Sequence, residues 1–206
     1  MGQTTRQRPS AEEALQTLLE GNRRFVSGNL LHPNHCEESR QGVASGQDPI
    51  AVVLTCADSR VPPVDIFDQG IGDIFVVRVA GNIIGDHTLG SIEYAALHLH
   101  TPLIIVLGHS CCGAIGAVAS DVKLDGHMST FVPPIQAAIK IVKNDEGDLV
   151  NNTARELARQ MAQKIADSEP IIADLVQHGK TRVVPAYYDL HSGEVSILTS
   201  TTDKRI

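Results

Sequence analysis

Two cysteines and one histidine are the side chains in this sequence most suited to bind a metal. Cys56 ends an apolar run (50–56) that predicts a buried strand, and His109 and Cys112 lie at and just beyond the end of a second run (102–109). In an open parallel sheet, ligands bind at the carboxyl ends of the strands. Thiolate and imidazole are donors that Zn²⁺ prefers, and three protein ligands leave its fourth position open. The spacing therefore predicts a metal centre at one edge of the sheet.

A carboxylate and a guanidinium follow directly after the first of these residues, because Asp58 and Arg60 come two and four positions after Cys56. Any one of the three ligand residues alone would be interpreted as packing, since free cysteine is among the most buried residue types. Their combination at one strand end favours a chemical site. The four cysteines of the chain do not resemble a disulfide framework, which also favours metal binding or catalysis.

The N-terminal part of the chain predicts a helix followed by an irregular connection. Apolar residues recur at helical spacing from Ser10 to Ser27, and Ser10 with Glu13 forms a capping box at the start. Residues 28–49 show no clear periodicity. We therefore expect a helical arm ahead of the main fold.

The remainder of the chain alternates between strand and helix patterns. Apolar runs predict five strands, at 50–56, 73–81, 102–109, 181–190 and 194–199. Helical patterns lie between them, at 62–69, 87–100, from 113 onward and from 133 to 178. Thr153 with Glu156 predicts a second capping box, Gly179 a helix stop, and residues 191–193 a hairpin turn.

This order of elements predicts an α/β fold in a single domain (1–206), with the arm at about 10–45 and the catalytic core at about 50–199. We expect a mostly parallel central sheet of four strands plus an antiparallel edge strand, flanked by helices. The strands that carry the three candidate ligands should be neighbours or near neighbours in so small a sheet.

Composition limits the classes of partner and location. The chain has 206 residues and a formal net charge of −7, without the clustered basic residues that nucleic-acid binding needs. No apolar run is long enough to span a bilayer, and no secretory signal pattern begins the sequence. We therefore expect a cytoplasmic protein that binds neither nucleic acid nor membranes.

The motifs CADSR (56–60) and HSCCG (109–113) together resemble those of the β-class carbonic anhydrases. The likeness continues through FVVRVAGN (75–82), GSIEYAALHL (90–99) and AYYDLHSGEV (186–195), and it covers roughly residues 11–199. Each motif is short, but their order and spacing together are specific. The resemblance implies a zinc enzyme that hydrates carbon dioxide reversibly to bicarbonate and a proton, by attack of a zinc-bound hydroxide.

The resemblance also implies a role for each matching residue. Cys56, His109 and Cys112 correspond to the zinc ligands, and Asp58 and Arg60 to a catalytic dyad. The substrate pocket of the plant-type branch corresponds to four further residues: Gln47, Phe75, Tyr94 and Gly113.

Two properties of the assembly and the resting state are implied as well. The other branch of the family has a Trp where Val53 stands, so an open zinc site is expected, although Asp58 is a possible fourth ligand in a closed state. In relatives a second subunit completes the pocket, which implies a homodimer, possibly a tetramer or higher, embraced by the helical arm. An ordinary packed helix is the alternative for that arm.

Three alternatives remain open from the sequence. The same scaffold in relatives hydrolyses carbonyl sulfide or carbon disulfide with the same ligands. A more remote alternative is a non-catalytic zinc or thiol redox sensor that uses Cys111 and Cys112, with Cys36 as the cysteine left to complete a structural site. Cys111 could also replace Cys112 as ligand, which would break the family spacing.

Overall fold

The sheet is the element that positions the candidate site, and a computed structural model describes it within residues 8–199. Its strands are β1 (Ala51–Thr55), β2 (Ile74–Arg78), β3 (Leu103–His109), β4 (Arg182–Tyr188) and β5 (Val195–Ile197). They lie in the order β2-β1-β3-β4-β5. The first four are parallel, and β5 pairs antiparallel with β4. The predicted fold class is confirmed, and the two strands that precede the ligands are direct neighbours.

The helices cover both faces of the sheet. They are α1 (Ala11–Ser27), α2 (Glu37–Gly42), α3 (Pro63–Ile66), α4 (Asp86–His98), α5 (Gly113–Ala119), α6 (Val132–Val142), α7 (Leu149–Ala166) and α8 (Ile171–Gln177). Short 3₁₀ turns occupy Ala80–Asn82 and Gly126–Phe131. Within residues 8–199, no helix is long and apolar enough to cross a membrane.

The predicted capping box at Thr153 and Glu156 is wrong, because both residues lie inside α7. The N-cap lies five residues earlier, at Asp148, whose side chain accepts a hydrogen bond from the amide of Asn151. Thr153 and Glu156 are buried inside the helix. The same spacing of residues therefore lies on the packed face of a helix here, not at its start.

Strands β1 and β3 are buried on both faces, whereas β2 is not. All residues of β1 and β3 are buried, but in β2 only Ile74 is, because β2 forms an edge of the sheet. Its continuous apolar sequence indicated a strand but not its edge position. Val76 on this edge is more than one-third exposed.

Helix α1 packs on the chain's own core. Ala14, Leu15 and Leu18 are buried together with Phe67 and the second face of the sheet. The capping box at Ser10 and Glu13 is present as predicted. Of the two interpretations of the arm, the ordinary packed helix describes this apolar face; contact of the arm with a partner stays a prediction.

A buried carboxylate joins α1 and the connection after it to the segment that follows α3. The Asp68 side chain is 0% exposed; Arg24 Nε donates to it at 2.6 Å, and the amides of Leu31 and His32 donate at 3.0 Å. Burial alone would raise the pKa of this carboxyl, but these donors outweigh it and hold the pKa below its ordinary value. Asp68 is therefore ionised at neutral pH.

We expect Asp68→Asn to lower the free energy of unfolding by about 2 kcal/mol at neutral pH, since hydrogen bonds to a buried charge are lost. The pKa of Asp68 is lower in the folded than in the unfolded state, so its stabilisation is present above about pH 4 and disappears as the pH falls through the folded pKa. Urea unfolding at neutral and acidic pH should therefore show the two proteins converging in acid. Asp125→Asn, which removes a surface partner of Lys123, is the matched control. A gap that stays constant with pH would contradict the ionised role of Asp68.

Candidate metal centre

The three predicted ligands meet at the carboxyl edge of the sheet. Cys56 follows β1, His109 ends the neighbouring β3, and Cys112 is the N-cap of α5. All three are buried, and their ligand atoms lie within 4.8 Å of one another. Cys111 has a φ of +53° in the tight turn between two of these residues, and it is exposed. Cys112 therefore lies beside Cys56 and His109, whereas Cys111, the alternative ligand, is exposed and does not belong to this group.

The imidazole of His109 is arranged as a metal ligand. Its Nδ1 lies 2.8 Å from the carbonyl oxygen of Ser110, so the ring proton belongs on Nδ1. Its Nε2 is buried and has no hydrogen-bond partner among the described residues. Because a buried polar atom without a partner is costly, this lone pair and two adjacent sulfurs fit a borderline-soft divalent cation.

The two sulfurs share one hydrogen bond and differ in acidity. The hydrogen bond with the Cys112 thiol, together with the amides of Gly81 and Asp58, lowers the pKa of Cys56 well below its ordinary value against the effect of burial. Its bond with Cys56 and its own burial raise the pKa of Cys112. The Gly81 amide donates to the Cys56 sulfur at 3.3 Å from a φ of +68°, a conformation that favours glycine. The site is thus built to hold negative charge on sulfur.

Asp58 and Arg60 form a two-pronged ion pair beside the sulfurs. Arg60 Nε donates to Asp58 Oδ1 at 2.9 Å, and Arg60 Nη2 donates to Oδ2 at 2.8 Å. These bonds hold the pKa of Asp58 well below its ordinary value, although partial burial opposes them. Arg60 Nη2 also donates to the carbonyl of Cys111 at 3.2 Å. The pair therefore ties together the two segments that carry the ligands, and both oxygens of Asp58 face Arg60.

The predicted pocket residues do not all lie beside the ligands in this chain. Gly113 follows Cys112 directly and opens α5. Phe75 on β2 and Tyr94 on α4 contact each other, with ring centroids 6.4 Å apart, and Tyr94 is 49% exposed. Gln47 precedes β1 and is exposed, whereas Cys56 follows the same strand. A five-residue strand spans about 16 Å, so Gln47 lies near the amino ends of the strands, whereas Cys56 lies at their carboxyl ends.

Two side chains that the sequence analysis did not single out hold the ligand segments. Arg78, the last residue of β2, donates to the carbonyls of Cys56 at 3.0 Å and Asp58 at 2.5 Å. Asn151, in the first turn of α7, accepts a hydrogen bond from the amide of Cys111 at 2.9 Å. The sequence contained one signal for Arg78, which is a charged residue within an otherwise apolar strand pattern (73–81), but this signal did not indicate which segment it contacts.

Comparison with known proteins gives consistent matches over most of the chain. A family model described as carbonic anhydrase matches residues 51–195. Carbonic anhydrase 2 of Mycobacterium tuberculosis is 37% identical over 184 residues, which cover 87% of this chain and 89% of that protein. The carbonic anhydrase of Mycolicibacterium smegmatis is 38% identical over 196 residues, covering 89% and 91%. A crystal structure from work on two tetrameric β-carbonic anhydrases of Sordaria macrospora superposes with a TM-score of 0.73 at 26% identity, covering 89% of this chain and 96% of that one.

Proposed function

This chain belongs to the β-carbonic anhydrase family, and on that basis we propose that it hydrates carbon dioxide reversibly, with Zn²⁺ held by Cys56, His109 and Cys112. The observation that carries the proposal is the buried Nε2 of His109, which has no hydrogen-bond partner within residues 8–199 and belongs to a group whose ligand atoms, including two cysteine sulfurs, lie within 4.8 Å of one another. When bound there, Zn²⁺ supplies Lewis acidity that brings the pKa of a coordinated water toward neutrality.

The dyad has a distinct task in this proposal. Two thiolates offset the charge of a divalent cation, so the site needs a base that helps the reacting water lose its proton. Asp58 is ionised and can accept a hydrogen bond from that water. Arg60 orients the carboxylate through its two-pronged contact and keeps it charged. The Asp58–Arg60 pair, as observed, supports an open fourth position.

The proposal is tested by measuring zinc content and carbon dioxide hydration together on the purified protein. Stopped-flow acidification with a pH indicator should show rapid hydration in protein that contains one zinc per chain. Release of hydrogen sulfide from carbonyl sulfide, assayed in parallel, should be far slower. Dominant sulfide release would replace the proposal by the carbonyl sulfide or carbon disulfide hydrolase on the same scaffold.

The non-catalytic sensor is less well supported by the geometry. A structural zinc site normally has four protein ligands. The group that converges contains three, and Cys36 is exposed at the start of α2, with its sulfur 3.1 Å from Ser39 Oγ. The ionised carboxylate of Asp58 beside the metal would have no reaction to assist in such a site.

We further propose that Gln47, Phe75 and Tyr94 complete the pocket of a second subunit in a homodimer. Gln47 cannot reach Cys56 of its own chain, because β1 separates them. Tyr94 is half exposed, and β2 is an edge strand of the sheet as described within residues 8–199, with Val76 exposed. A twofold dimer would place the same residues of each chain in the site of the other.

Mixed dimers test this assignment. Chains with Cys112→Ser should be inactive, and chains with Gln47→Ala and Tyr94→Ala together should be weakly active. In a mixed dimer the second chain has intact ligands and receives intact Gln47 and Tyr94 from the first. We therefore expect co-expressed, doubly tagged hybrids to regain about half of the wild-type rate, from one of two symmetric sites.

A hybrid of Cys112→Ser with Cys56→Ser is the matched control, because all ligands of one site come from one chain, and it should stay inactive. If the first hybrid also stays inactive, the pocket residues act within their own chain and the shared site is wrong.

A further inference from the structure

The end of β2 holds the segment that carries Cys56 and Asp58 through a series of contacts. Thr55 is paired with Arg78 in the sheet, and the amide of Val79 donates to the Thr55 carbonyl at 3.0 Å. Beyond Thr55 the strand ladder ends, so the carbonyls of the next residues have no strand partner. The Arg78 guanidinium donates hydrogen bonds to two of these carbonyls, from Nε to that of Cys56 and from Nη2 to that of Asp58.

We propose that Arg78 is a positioning residue for the reaction, which orients Asp58 by fixing the main chain between it and Cys56. The inference depends on the proposed role of Asp58 as a proton acceptor. Arg60 holds the carboxylate of Asp58, and Arg78 holds its main chain, so two arginines define where the charged oxygens lie. The two contacts act on different atoms: Arg60, itself held by the carbonyl of Cys111, orients the side chain, whereas Arg78 fixes the main chain from the neighbouring strand.

The geometry favours an arginine. Two carbonyl oxygens two residues apart are bound by two separate nitrogens of one rigid plane, whereas a lysine would have to reach both from a single nitrogen. The alternative is that Arg78 is an exposed charge on an edge strand that only aids solubility or stability. The two alternatives differ in the effect of Arg78 on kcat at unchanged metal content.

We expect Arg78→Gln to retain zinc and to lower kcat about tenfold, the lower end of the effect of residues that orient a metal centre. The kcat of Arg78→Lys should lie between those of Arg78→Gln and the wild type, because lysine keeps the charge but lacks the forked guanidinium group. Arg182→Gln is the matched control: it removes another exposed strand arginine, whose partner is Glu12. Wild-type kcat in Arg78→Gln, or in Arg78→Lys, would overturn the proposal.

A double-mutant cycle with Asp58→Asn separates positioning from general stability. If Arg78 acts through Asp58, Arg78→Gln should cost less than about twofold once Asp58 is replaced. A full tenfold loss in that background would overturn the proposal, because it would show that Arg78 acts independently of the carboxylate.

A readout that does not need turnover keeps this inference distinct from the proposed function. The Arg60 amide donates to Asp58 Oδ1 at 3.0 Å, so its hydrogen exchange reports the order of the segment. Exchange at Arg60 should accelerate in Arg78→Gln and remain unchanged in Arg182→Gln, with zinc bound. Equal protection in all three proteins would overturn the role of Arg78, whereas absent hydration with accelerated exchange would overturn the proposed function alone.

Discussion

Cys112→Ser is expected to leave the protein without stoichiometric zinc and to lower carbon dioxide hydration by a factor on the order of 10³. Residues that merely orient metal ligands cost about 10–100-fold when they are replaced, so a direct ligand must cost more. Serine keeps the shape of the side chain, but its hydroxyl does not ionise as a thiol does beside the cation. The measurement is zinc per chain by elemental analysis together with the stopped-flow rate.

The neighbouring cysteine provides a sharp control for this result. Cys111 is adjacent in sequence but exposed, and its main chain is held by Arg60 and Asn151. Cys111→Ser should therefore keep zinc and stay within about twofold of the wild-type rate, as expected for a surface substitution. Loss of zinc in Cys111→Ser with retention in Cys112→Ser would show that the ligand spacing is wrong.

Folding of the variant has to be separated from loss of metal, because Cys112 is buried in the core at 2% exposure. His109→Asn gives a second ligand removal of a different kind, at a residue whose Nε2 has no other partner among the described residues. Both variants should retain the far-ultraviolet circular dichroism of the wild type. Activity in both folded variants would contradict the metal centre itself.

The convergence of the three candidate ligands could be predicted from the sequence, because Cys56 and His109 lie at the ends of strands that their apolar residues define, and Cys112 follows His109 by three residues. Strand ends of a parallel sheet converge at one edge whatever the details of packing, so Cys56 and His109 had to be close once β1 and β3 were neighbours. Asp58 and Arg60 are two residues apart, and their pairing is a local property. Neither conclusion needed the positions of the helices.

The residues that hold these segments could not be predicted in the same way. Arg78 contacts Cys56 and Asp58 because β2 pairs with β1 in a particular register, and the apolar pattern does not define register between two such strands. Asn151 depends on where α7 begins, which the sequence analysis misplaced. The position of Gln47 follows from the length of β1, because Gln47 precedes this strand and Cys56 follows it. Its match by spacing to a pocket residue is therefore one of the observations behind the proposed second subunit.

Asp58→Asn is the second variant for which we expect a large effect: kcat lower by about 100-fold, with zinc retained because all three ligands remain. The pKa of Asp58 lies below its ordinary value, so the wild-type carboxylate is charged throughout the neutral range and does not itself titrate there. Asparagine removes this charge and presents an amide group to the Arg60 guanidinium, where two donors meet.

The pH dependence of the variant distinguishes loss of a proton acceptor from general damage. Without Asp58, no positioned carboxylate accepts the proton of the reacting water, so at neutral pH that proton must leave to solvent. The deficit in kcat should then narrow as the pH is raised from about 6 to about 9, because hydroxide becomes available without the base. Because an amide is a poor ligand, the variant also lacks the closed state in which Asp58 would occupy the fourth position.

Asp174→Asn, which removes a surface partner of His178, should match the wild type at every pH. An unchanged rate in Asp58→Asn, or a deficit that does not vary with pH, would refute the role of Asp58 as acceptor while leaving the metal site intact.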